Sequence, residues 1–312
     1  MTGPLDAAVM GYASLDSALI VDGLPAPGAT AILHASPDET PHWGGCGPNV
    51  AVGLCRLGLR VGLIGALGVD DLSERYRRYL REEMVDTDAL AAVSAGAAPR
   101  ALMLSTIQGA SACLYYPGAS GDTGDAGVQE RVLNRTRRLV LTVGPAALTE
   151  RLLGLARDRA LTVAWGAKAD ASAYPPDLLR VLVPACAVIV LNSAELAFLG
   201  AHLGIDNAAD LRRLGVDVVV LTRGAEGCEV WSAQGVLRQE ALPTARVVDT
   251  TGSGDALTSG FLAAYWRTGD IAHAARWGAA NAASVLAQMG SQTGLRTAAE
   301  LAEIVTKKGD LT

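Results

Sequence analysis

The sequence is poor in aromatic residues and has no cluster of positive charge. Phenylalanine, tryptophan and tyrosine together make up 4% of its 312 residues, and no dense run of lysine or arginine occurs. The formal net charge of −6 therefore argues against a nucleic-acid partner. Anionic nucleotides can still bind such a chain, through backbone amides and a metal ion.

The chain also lacks the segments typical of secreted, membrane or zinc-binding proteins. Residues 1–6 have neither the basic start nor the long apolar core of a signal peptide. The longest apolar run, residues 185–191, is too short to span a bilayer and is typical of a buried strand. The five cysteines and four histidines show no metal-binding spacing, so no structural zinc site is predicted. We expect a reduced, cytoplasmic protein with no membrane partner.

What the sequence does contain is an alternation of strand and helix patterns. Strands are predicted at residues 138–143, 161–165, 187–191 and 216–221, with helical patterns between them. This alternation predicts an α/β fold with a mostly parallel sheet and helices on both faces. Ligands of such sheets bind at the carboxyl ends of the strands.

Two β-rich segments interrupt this alternation, at about residues 15–42 and 98–117. The second carries a hairpin signal at residues 108–111, QGAS. We expect the two segments to pair as a small sheet that lies over the main domain.

Residues 249–255, DTTGSGD, are the most informative segment of the chain. We expect Val247 and Val248 to end a strand, the glycines to form a tight turn, and the residues after Asp255 to form a buried helix. Such a turn directs backbone N–H groups and the positive end of a helix at one point, which suits a phosphate. Asp255 would lie beside it as a general base for a hydroxyl. The alternative is an ordinary strand-to-helix connection with Asp in the first helical turn.

Residues 42–51, HWGGCGPNVA, precede a predicted helix over residues 48–57. The glycines allow a backbone to approach a ligand closely, and Asn49 offers a donor and acceptors for sugar hydroxyls. Asp16 can bind a diol in the same way. The alternatives are a turn with Asn49 in the first helical turn, and Asp16 as the cap of a turn.

Asn192 and Glu195 follow the predicted strand at residues 187–191. An amide and a carboxylate at a strand end can organise the waters of a Mg²⁺ ion that bridges phosphates. The same spacing is also typical of a helix capping box, and the residues alone leave both interpretations open.

Two further segments suit a nucleotide. Thr222, Arg223, Gly224 and Gly227 follow a strand and can line phosphates, although an ordinary hairpin turn explains them equally well. Asn281 lies among alanines, where small side chains provide either a slot for adenine or close helix packing. The chain has no G-x-x-x-x-G-K-[ST] loop, so any nucleotide chemistry is not of the P-loop kind.

In combination, these motifs resemble the ribokinase-like, or PfkB, family of carbohydrate and nucleoside kinases over nearly the whole chain. Gly44 and Gly45 with Asn49 look like the family's N-terminal signature. Asn192 with Glu195 looks like its Asn-x-x-Glu motif, and residues 249–255 look like its D-T-x-G-A-G-D signature. The resemblance implies one ribokinase-like kinase domain over residues 1–312, a three-layer α/β/α sandwich whose lid is formed by the two β-rich segments.

The resemblance also implies a role for each matching residue. Asp255 would be the catalytic base, and the anion hole would comprise Gly252, Ser253 and Gly254. Mg²⁺ would be held through water by Glu195, with Asn192. ATP would contact Thr222, Gly224 and Gly227, with Asn281 near its adenosine. The acceptor hydroxyls would be bound by Asp16, Gly45 and Asn49. Asp249 is the candidate for a monovalent cation such as K⁺, and the lid for a homodimer interface.

The chain departs from the family pattern at two points. Ser253 replaces the usual alanine, a small change that leaves the turn intact. Residues 164–168 read AWGAK where many sugar kinases have an Asp-x-Asn-like segment, which argues against a fructokinase or a 2-keto-3-deoxygluconate kinase. Residues 44–49 and 115–119 look more like adenosine-kinase-like members, in which Tyr12, Trp43 and Tyr116 would stack on a base. The alternative is that these aromatic residues pack in the core or the lid.

The sequence thus predicts an ATP- and Mg²⁺-dependent kinase that phosphorylates a primary hydroxyl of a nucleoside such as adenosine, with a ribose-like sugar as the next candidate. The alternative is a non-catalytic nucleotide or sugar sensor on the same fold. A nicotinamide-dependent dehydrogenase is disfavoured, because no G-x-G-x-x-G follows the first strand.

Overall fold

The structure, a computed structural model, describes residues 3–34, 41–106, 111–244 and 246–309. Along the chain the strands are β1 (Ala7–Met10), β2 (Ser14–Val21), β3 (His42–Gly44), β4 (Val61–Gly68), β5 (Leu90–Val93), β6 (Arg100–Thr106), β7 (Ser111–Tyr116), β8 (Arg138–Leu141), β9 (Thr162–Gly166), β10 (Cys186–Asn192), β11 (Val218–Thr222), β12 (Cys228–Ser232) and β13 (Gly235–Gln239). The helices are α1 (Cys46–Arg56), α2 (Asp71–Glu82), α3 (Ala126–Leu133), α4 (Ala146–Asp158), α5 (Pro176–Ala185), α6 (Ser193–Leu203), α7 (Ala208–Arg213), α8 (Ser253–Thr268), α9 (Ile271–Leu286) and α10 (Ala298–Gly309).

Within the described residues, a nine-stranded sheet forms the centre of the molecule in the order β13-β12-β11-β10-β9-β8-β1-β4-β5. The strands from β11 to β5 pair in parallel, and β12 and β13 continue the sheet antiparallel. The α/β class and the mostly parallel sheet predicted from the alternation are confirmed. Each of the four strands predicted from the alternation lies within two residues of its observed limits.

Alternate side chains of the central strands pack on opposite faces of the sheet, as a strand's two-residue period requires. Val9 faces the core shared with α1, α2, α8, α9 and α10, whereas Ala8 and Met10 face the core shared with α3 to α7. The parallel strands are buried on both faces, which explains their continuous apolar runs. The result is a three-layer α/β/α arrangement.

A second, four-stranded sheet has the order β3-β2-β6-β7. The two β-rich segments pair with each other through β2 and β6, which run parallel from Leu15 opposite Arg100 to Val21 opposite Thr106. The predicted hairpin turn at residues 108–111 lies largely outside the described residues, as do residues 35–40 of the first segment. β6 and β7 nevertheless pair antiparallel, as a hairpin requires.

One strand prediction was wrong. Val247 and Val248 lie in an irregular, exposed segment rather than at the end of a strand. The backbone N–H of Val248 instead donates to the carbonyl oxygen of Leu286 at 2.8 Å, at the end of α9. Apolar β-branched residues suggested a strand here, but helix α9 supplies the hydrogen-bond acceptor. Within the described part of the chain, no helix has the length and apolar character to cross a bilayer.

Candidate active site

The loop before α8 forms a tight turn that leads directly into the helix. Gly252 is the N-cap of α8 and has a φ of 76°, in the left-handed region. A Cβ at this position would lie 2.4 Å from the Cβ of Ser291, so only glycine fits. The carboxylate of Asp249 braces the loop by accepting hydrogen bonds from the backbone N–H groups of Thr251 and Gly290, both at 2.9 Å.

The N-terminal turn of α8 provides backbone donors for an anion. Ser253 donates its N–H to the carbonyl of Thr250 at 3.3 Å. Gly254 and Asp255 occupy the next two positions, whose N–H groups have no partner within a helix. A Cβ built on Gly254 meets no atom within 4 Å, so the space beside these donors is open. The turn therefore has the donors and the room that a phosphoryl group needs.

Asp255 is held by a residue from the other end of the sequence. Asn49, in the first turn of α1, is 3% exposed and donates from Nδ2 to Oδ2 of Asp255 at 2.8 Å. The amide oxygen of Asn49 accepts hydrogen bonds from Ser291 Oγ at 3.0 Å and from Gln292 Nε2 at 2.8 Å. These two donors fix the orientation of the amide, so its N–H₂ group must face Asp255.

The charge state of Asp255 is set by opposing influences. Burial raises the pKa of its carboxyl group, whereas Lys168, Asn49 and Cys46 lower it by stabilising the charged form. The residue is only half-buried in the cleft, so its carboxyl group can reach a bound hydroxyl. A carboxylate whose pKa is raised by desolvation has the basicity of a general base.

Asn192 and Glu195 form the capping box of α6, so the structural alternative predicted for them is correct. Asn192 Oδ1 accepts from the N–H of Glu195 at 2.9 Å, and Glu195 Oε2 accepts from the N–H of Asn192 at 2.7 Å. The second carboxylate oxygen, Oε1, lies 3.9 Å from Nζ of Lys168. Burial raises the pKa of Glu195, and Lys168 opposes that shift. Oε2 of Glu195 thus caps helix α6, and Oε1 faces the cleft.

Lys168 is a charged residue of the cleft that the motifs did not reveal. It follows β9, and no sequence motif marks its position. Cys46, Asp255 and Glu195 raise the pKa of its ammonium group. Burial raises the pKa of the Cys46 thiol, so this thiol is neutral. The negative charge near Lys168 therefore comes from the carboxylates of Asp255 and Glu195. The one available signal was composition, because Lys168 is the only lysine before residue 307.

Asp16 lies within β2, with its carboxylate buried beside the cleft. Its side chain accepts a hydrogen bond from Ser14 Oγ at 2.5 Å. A Cβ on Gly44 would lie 1.9 Å from Asp16 Oδ2, so the glycine allows the carboxylate to occupy this position. Burial raises the pKa of Asp16 to about 6, and the charges of Asp255 and Asp249 act in the same direction. Gly45 comes directly after Gly44 in the sequence and is the N-cap of α1.

Thr222 ends β11 opposite Asn192 at the end of β10, so both lie at the carboxyl edge of the sheet. The predicted hairpin alternative is also correct, because β11 and β12 pair antiparallel around the turn that contains Gly224 and Gly227. Arg223 is engaged by Glu229 at 3.0 Å. The turn is therefore both a hairpin and a glycine-lined surface next to the cleft.

Asn281 lies apart from the cleft residues. It is fully buried in α9, where Nδ2 donates to the carbonyl of Ala256 at 3.0 Å and to Ser259 Oγ at 3.2 Å. Its Oδ1 accepts from the N–H of Arg296 at 3.2 Å. These contacts describe helix packing, so any influence of Asn281 on a ligand is exerted through α8.

The aromatic residues expected to stack on a base are arranged differently from the expectation. Trp43 packs against Tyr76, with ring centroids 4.8 Å apart, and so belongs to the core beneath β3. Tyr12 lies 5.7 Å from Tyr115, not beside Tyr116, which is 53% exposed. Alternate residues of β7 face opposite sides, so Tyr115 rather than Tyr116 lies beside Tyr12.

Asn49, Asp255, Lys168, Glu195 and Thr222 come from distant parts of the chain and lie near one another at the carboxyl edge of the sheet. Comparison with protein-family models matches residues 5–298 to the pfkB family of carbohydrate kinases. The chain belongs to this family. It is accordingly a phosphotransferase of the sugar and nucleoside kinase type, and the non-catalytic alternative has no support among its relatives.

Relatives within and around the family agree with this placement. The nucleoside kinase of Methanothermobacter thermautotrophicus is 28% identical over 295 residues, which cover 95% of this chain and 94% of that protein. The ATP-dependent ribose-1-phosphate kinase of Halopiger xanaduensis is 28% identical over 280 residues, or 88% and 89% of the two chains. The crystal structure of the nucleoside kinase of Methanocaldococcus jannaschii, an archaeal member of the ribokinase family, superimposes with a TM-score of 0.82. It covers 98% of this chain and 99% of that one at 22% identity, which confirms the ribokinase-like fold.

Proposed function

We propose that this pfkB-family protein transfers the γ-phosphoryl group of ATP to a primary hydroxyl of a nucleoside, with Asp255 as the catalytic base. The observation that carries this proposal is the contact between Asn49 and Asp255 at the N-terminus of α8. It places a carboxylate with a raised pKa beside backbone donors that suit a phosphoryl group.

In this proposal each part of the cleft has one task. Asp255 accepts the proton of the attacking hydroxyl, and the N–H groups at the start of α8, in the turn Gly252–Ser253–Gly254, hold the transferred phosphoryl group. Asp16, Gly45 and the neighbourhood of Asn49 bind the acceptor's hydroxyls. Since Asn49 already donates to Asp255, its second amide hydrogen is the one left for the acceptor.

ATP would lie along the carboxyl edge of the sheet. Thr222, Gly224 and Gly227 line its phosphates in this arrangement, and Asn281 supports α8 from behind. The four-stranded sheet, from about residues 15–42 and 98–117, would act as a lid that excludes water during transfer.

Mg²⁺ fits the residues at the end of β10, although not as a fully protein-bound ion. The described residues contain no group of three or more His, Cys, Asp or Glu side chains placed to share a metal ion. Mg²⁺ in kinases keeps several waters and is held by one or two carboxylates plus phosphates, so Glu195 Oε1 with Asn192 suffices. When bound, the ion would neutralise charge on the phosphates. We expect Glu195→Gln to keep the capping box and the melting temperature but to raise the Mg²⁺ concentration needed for half-maximal rate.

A nucleoside is favoured over a free sugar by the pair formed by Tyr12 and Tyr115. Their rings are 5.7 Å apart, and the pKa of Tyr115 is raised chiefly by burial, with a smaller contribution from the charge of Asp16. An aromatic surface beside a hydroxyl-binding carboxylate suits a base attached to a ribose. The relatives named nucleoside kinases support the same choice, and the ribose-1-phosphate kinase keeps a ribose-like acceptor as the second candidate.

The acceptor class can be tested by ADP release with adenosine, cytidine, guanosine, inosine, ribose and fructose. We expect the nucleosides to have values of kcat/KM at least about fivefold above that of ribose, because stacking contributes about 1 kcal/mol or more. Tyr115→Leu should remove this preference, whereas the matched variant Tyr116→Leu should keep it. Equal kcat/KM for ribose and nucleosides would favour the sugar.

Three predictions remain open for experiment. A K⁺ ion near Asp249 would have to coordinate backbone oxygens as well, because both carboxylate oxygens of Asp249 accept hydrogen bonds. A homodimer through the lid would cover the exposed apolar side chains of Leu102 and Leu114, which lie opposite each other on β6 and β7. A cytoplasmic location agrees with free cysteines and with a substrate such as ATP.

A further inference from the structure

Lys168 is the one charged residue of the cleft to which the family motifs assign no task. It lies just after β9, with its side chain 46% exposed and its Nζ 3.9 Å from Glu195 Oε1. On its other side, it is near enough to Asp255 for each group to shift the pKa of the other. The ammonium group thus forms an ion pair with the proposed Mg²⁺ residue and lies within electrostatic range of the proposed base.

Neither carboxylate satisfies this ammonium group. A charge-assisted hydrogen bond between nitrogen and oxygen is about 2.7–2.9 Å long, so a separation of 3.9 Å is an ion pair without a hydrogen bond. Glu195 Oε2 and Asp255 Oδ2 are each held by another donor, at 2.7 and 2.8 Å respectively. Lys168 therefore keeps N–H donors that can be directed at a third anion between the two carboxylates.

The charge balance of the cleft requires such a cation. A phosphoryl group that enters between Asp255 and Glu195 meets two like charges in a partly desolvated site, where repulsion is stronger than in water. Gly254 leaves open space on this side of α8, and the first-turn N–H groups supply only partial positive charges. Beside the Mg²⁺ ion proposed at Glu195, Lys168 is a full positive charge of the protein itself that can offset the repulsion.

The choice of lysine at this point is unusual for this chain. Of its 26 lysine and arginine residues, three are lysines, and the other two are Lys307 and Lys308. Ion pairs elsewhere in the described part of the chain include several with arginine, such as Arg56 with Glu83. A lysine presents a compact charge with rotatable donors, whereas arginine presents a rigid planar fork. Rotatable donors suit a phosphoryl group that moves from the bridging oxygen of ATP to an oxygen of the acceptor.

We propose that the ammonium group of Lys168 binds the phosphoryl group in transit between ATP and the acceptor, and so is a second catalytic residue beside Asp255. This inference rests on the proposed function. The bond from the γ-phosphorus to the β-γ bridging oxygen breaks, and a bond to the acceptor oxygen forms. The acceptor's proton goes to Asp255, and ADP leaves with the bridging oxygen. Lys168 stays protonated throughout and only donates hydrogen bonds.

The first test compares nucleotide affinities of Lys168→Met and wild type by calorimetry with Mg²⁺. Because ADP lacks the γ-phosphoryl group, the variant should lose at least about tenfold in affinity for a non-hydrolysable ATP analogue and less than about threefold for ADP. Its kcat should fall by about 10²–10³, as for loss of one strong donor to the transition state. The acceptor KM should stay within about threefold, and Lys168→Arg should recover part of kcat.

A second readout does not depend on turnover. In a Lys307→Arg/Lys308→Arg variant, reductive methylation with ¹³C-formaldehyde labels only Lys168 and the N-terminal amine. The Lys168 methyl resonance should shift with the ATP analogue and Mg²⁺ and shift much less with ADP and Mg²⁺. The N-terminal resonance is the internal control and should not distinguish the two nucleotides.

Two results would overturn the inference about Lys168. One is an equal effect of Lys168→Met on the ATP analogue and ADP together with equal resonance shifts. The other is a variant that changes only the acceptor KM, which would assign Lys168 to the acceptor. Failure of the proposed function looks different: wild type would release no acceptor-dependent ADP, while the difference between the ATP analogue and ADP would still decide whether Lys168 contacts the γ-phosphoryl group.

Discussion

Asn49 and Asp255 are 206 residues apart in the sequence, yet Nδ2 of Asn49 donates to Oδ2 of Asp255 at 2.8 Å. The contact joins the N-terminal turn of α1 to that of α8. Because Ser291 and Gln292 both donate to Asn49 Oδ1, the amide cannot rotate to present its oxygen to Asp255. Asn49 thus fixes one carboxylate oxygen of the proposed base.

Replacing Asn49 should change the pH dependence of the reaction. The amide hydrogen bond lowers the pKa of Asp255, so Asn49→Ala should raise it. Since the base works as a carboxylate, a higher pKa moves the acidic limb of the kcat profile to higher pH. Asn281→Ala is the control, because it removes another buried asparagine bonded to α8 without touching Asp255. An unmoved acidic limb in Asn49→Ala would contradict the proposed coupling.

Gly254 and Gly252 should respond differently to alanine. At Gly254 a Cβ meets no protein atom within 4 Å, and alanine favours helix, so the melting temperature should not fall. The added methyl group would occupy the space proposed for the phosphoryl group, so kcat should drop by at least about tenfold. At Gly252, alanine must adopt a φ of 76° and meets Ser291, so Gly252→Ala should lower both kcat and melting temperature. Full activity in Gly254→Ala would place the phosphoryl group elsewhere.

Asp16 should make folding less stable as the pH rises. Its pKa is about 6 in the folded protein and 3.8 without burial, so the folded state holds the proton more tightly. The protein therefore loses stability as pH rises through this interval, by roughly 2–3 kcal/mol from this group alone. Asp16→Asn removes the charge, so in urea unfolding it should stabilise the protein more at pH 8 than at pH 5.

The same substitution should weaken acceptor binding, because the charged carboxylate is proposed to bind hydroxyls. For the urea unfolding measurement, Asp177→Asn is a suitable control, because the Asp177 side chain is 98% exposed. This substitution should change the free energy of unfolding by the same small amount at pH 5 and at pH 8. A gain in Asp16→Asn that does not depend on pH would mean that the Asp16 carboxyl titrates normally.

Much of the fold followed from local patterns. The strands β8 to β11 are short apolar runs between helical patterns, and burial on both faces of a parallel sheet gives such runs. The segment 246–250 misled the prediction because two valines resemble a strand end, whereas its hydrogen bond to Leu286 depends on where α9 ends. A contact of that kind has no local signature in a sequence.

Candidate site residues could be predicted from the sequence where they belong to short motifs. Single side chains outside such motifs could not be predicted. Asp255, Asn49 and Glu195 lie in motifs with glycines or fixed spacing, so they were found. Lys168 follows a strand without any motif, and only the three-dimensional approach of Glu195 reveals it. That Tyr115 rather than Tyr116 faces Tyr12 depends on the register of β7 against β6, which has no local signature in the sequence.

The most direct test of the account is a comparison of wild type with Asp255→Asn in two assays, ADP release with and without a nucleoside acceptor and calorimetric binding of Mg²⁺-ATP. The substituted amide would keep the size and one hydrogen-bond acceptor of the carboxylate but could not take up the acceptor's proton. The account predicts acceptor-dependent ADP release by wild type, a loss of at least about 10³-fold in Asp255→Asn, and ATP affinities within about threefold of each other. Normal turnover in Asp255→Asn would contradict the assignment of Asp255 as the catalytic base.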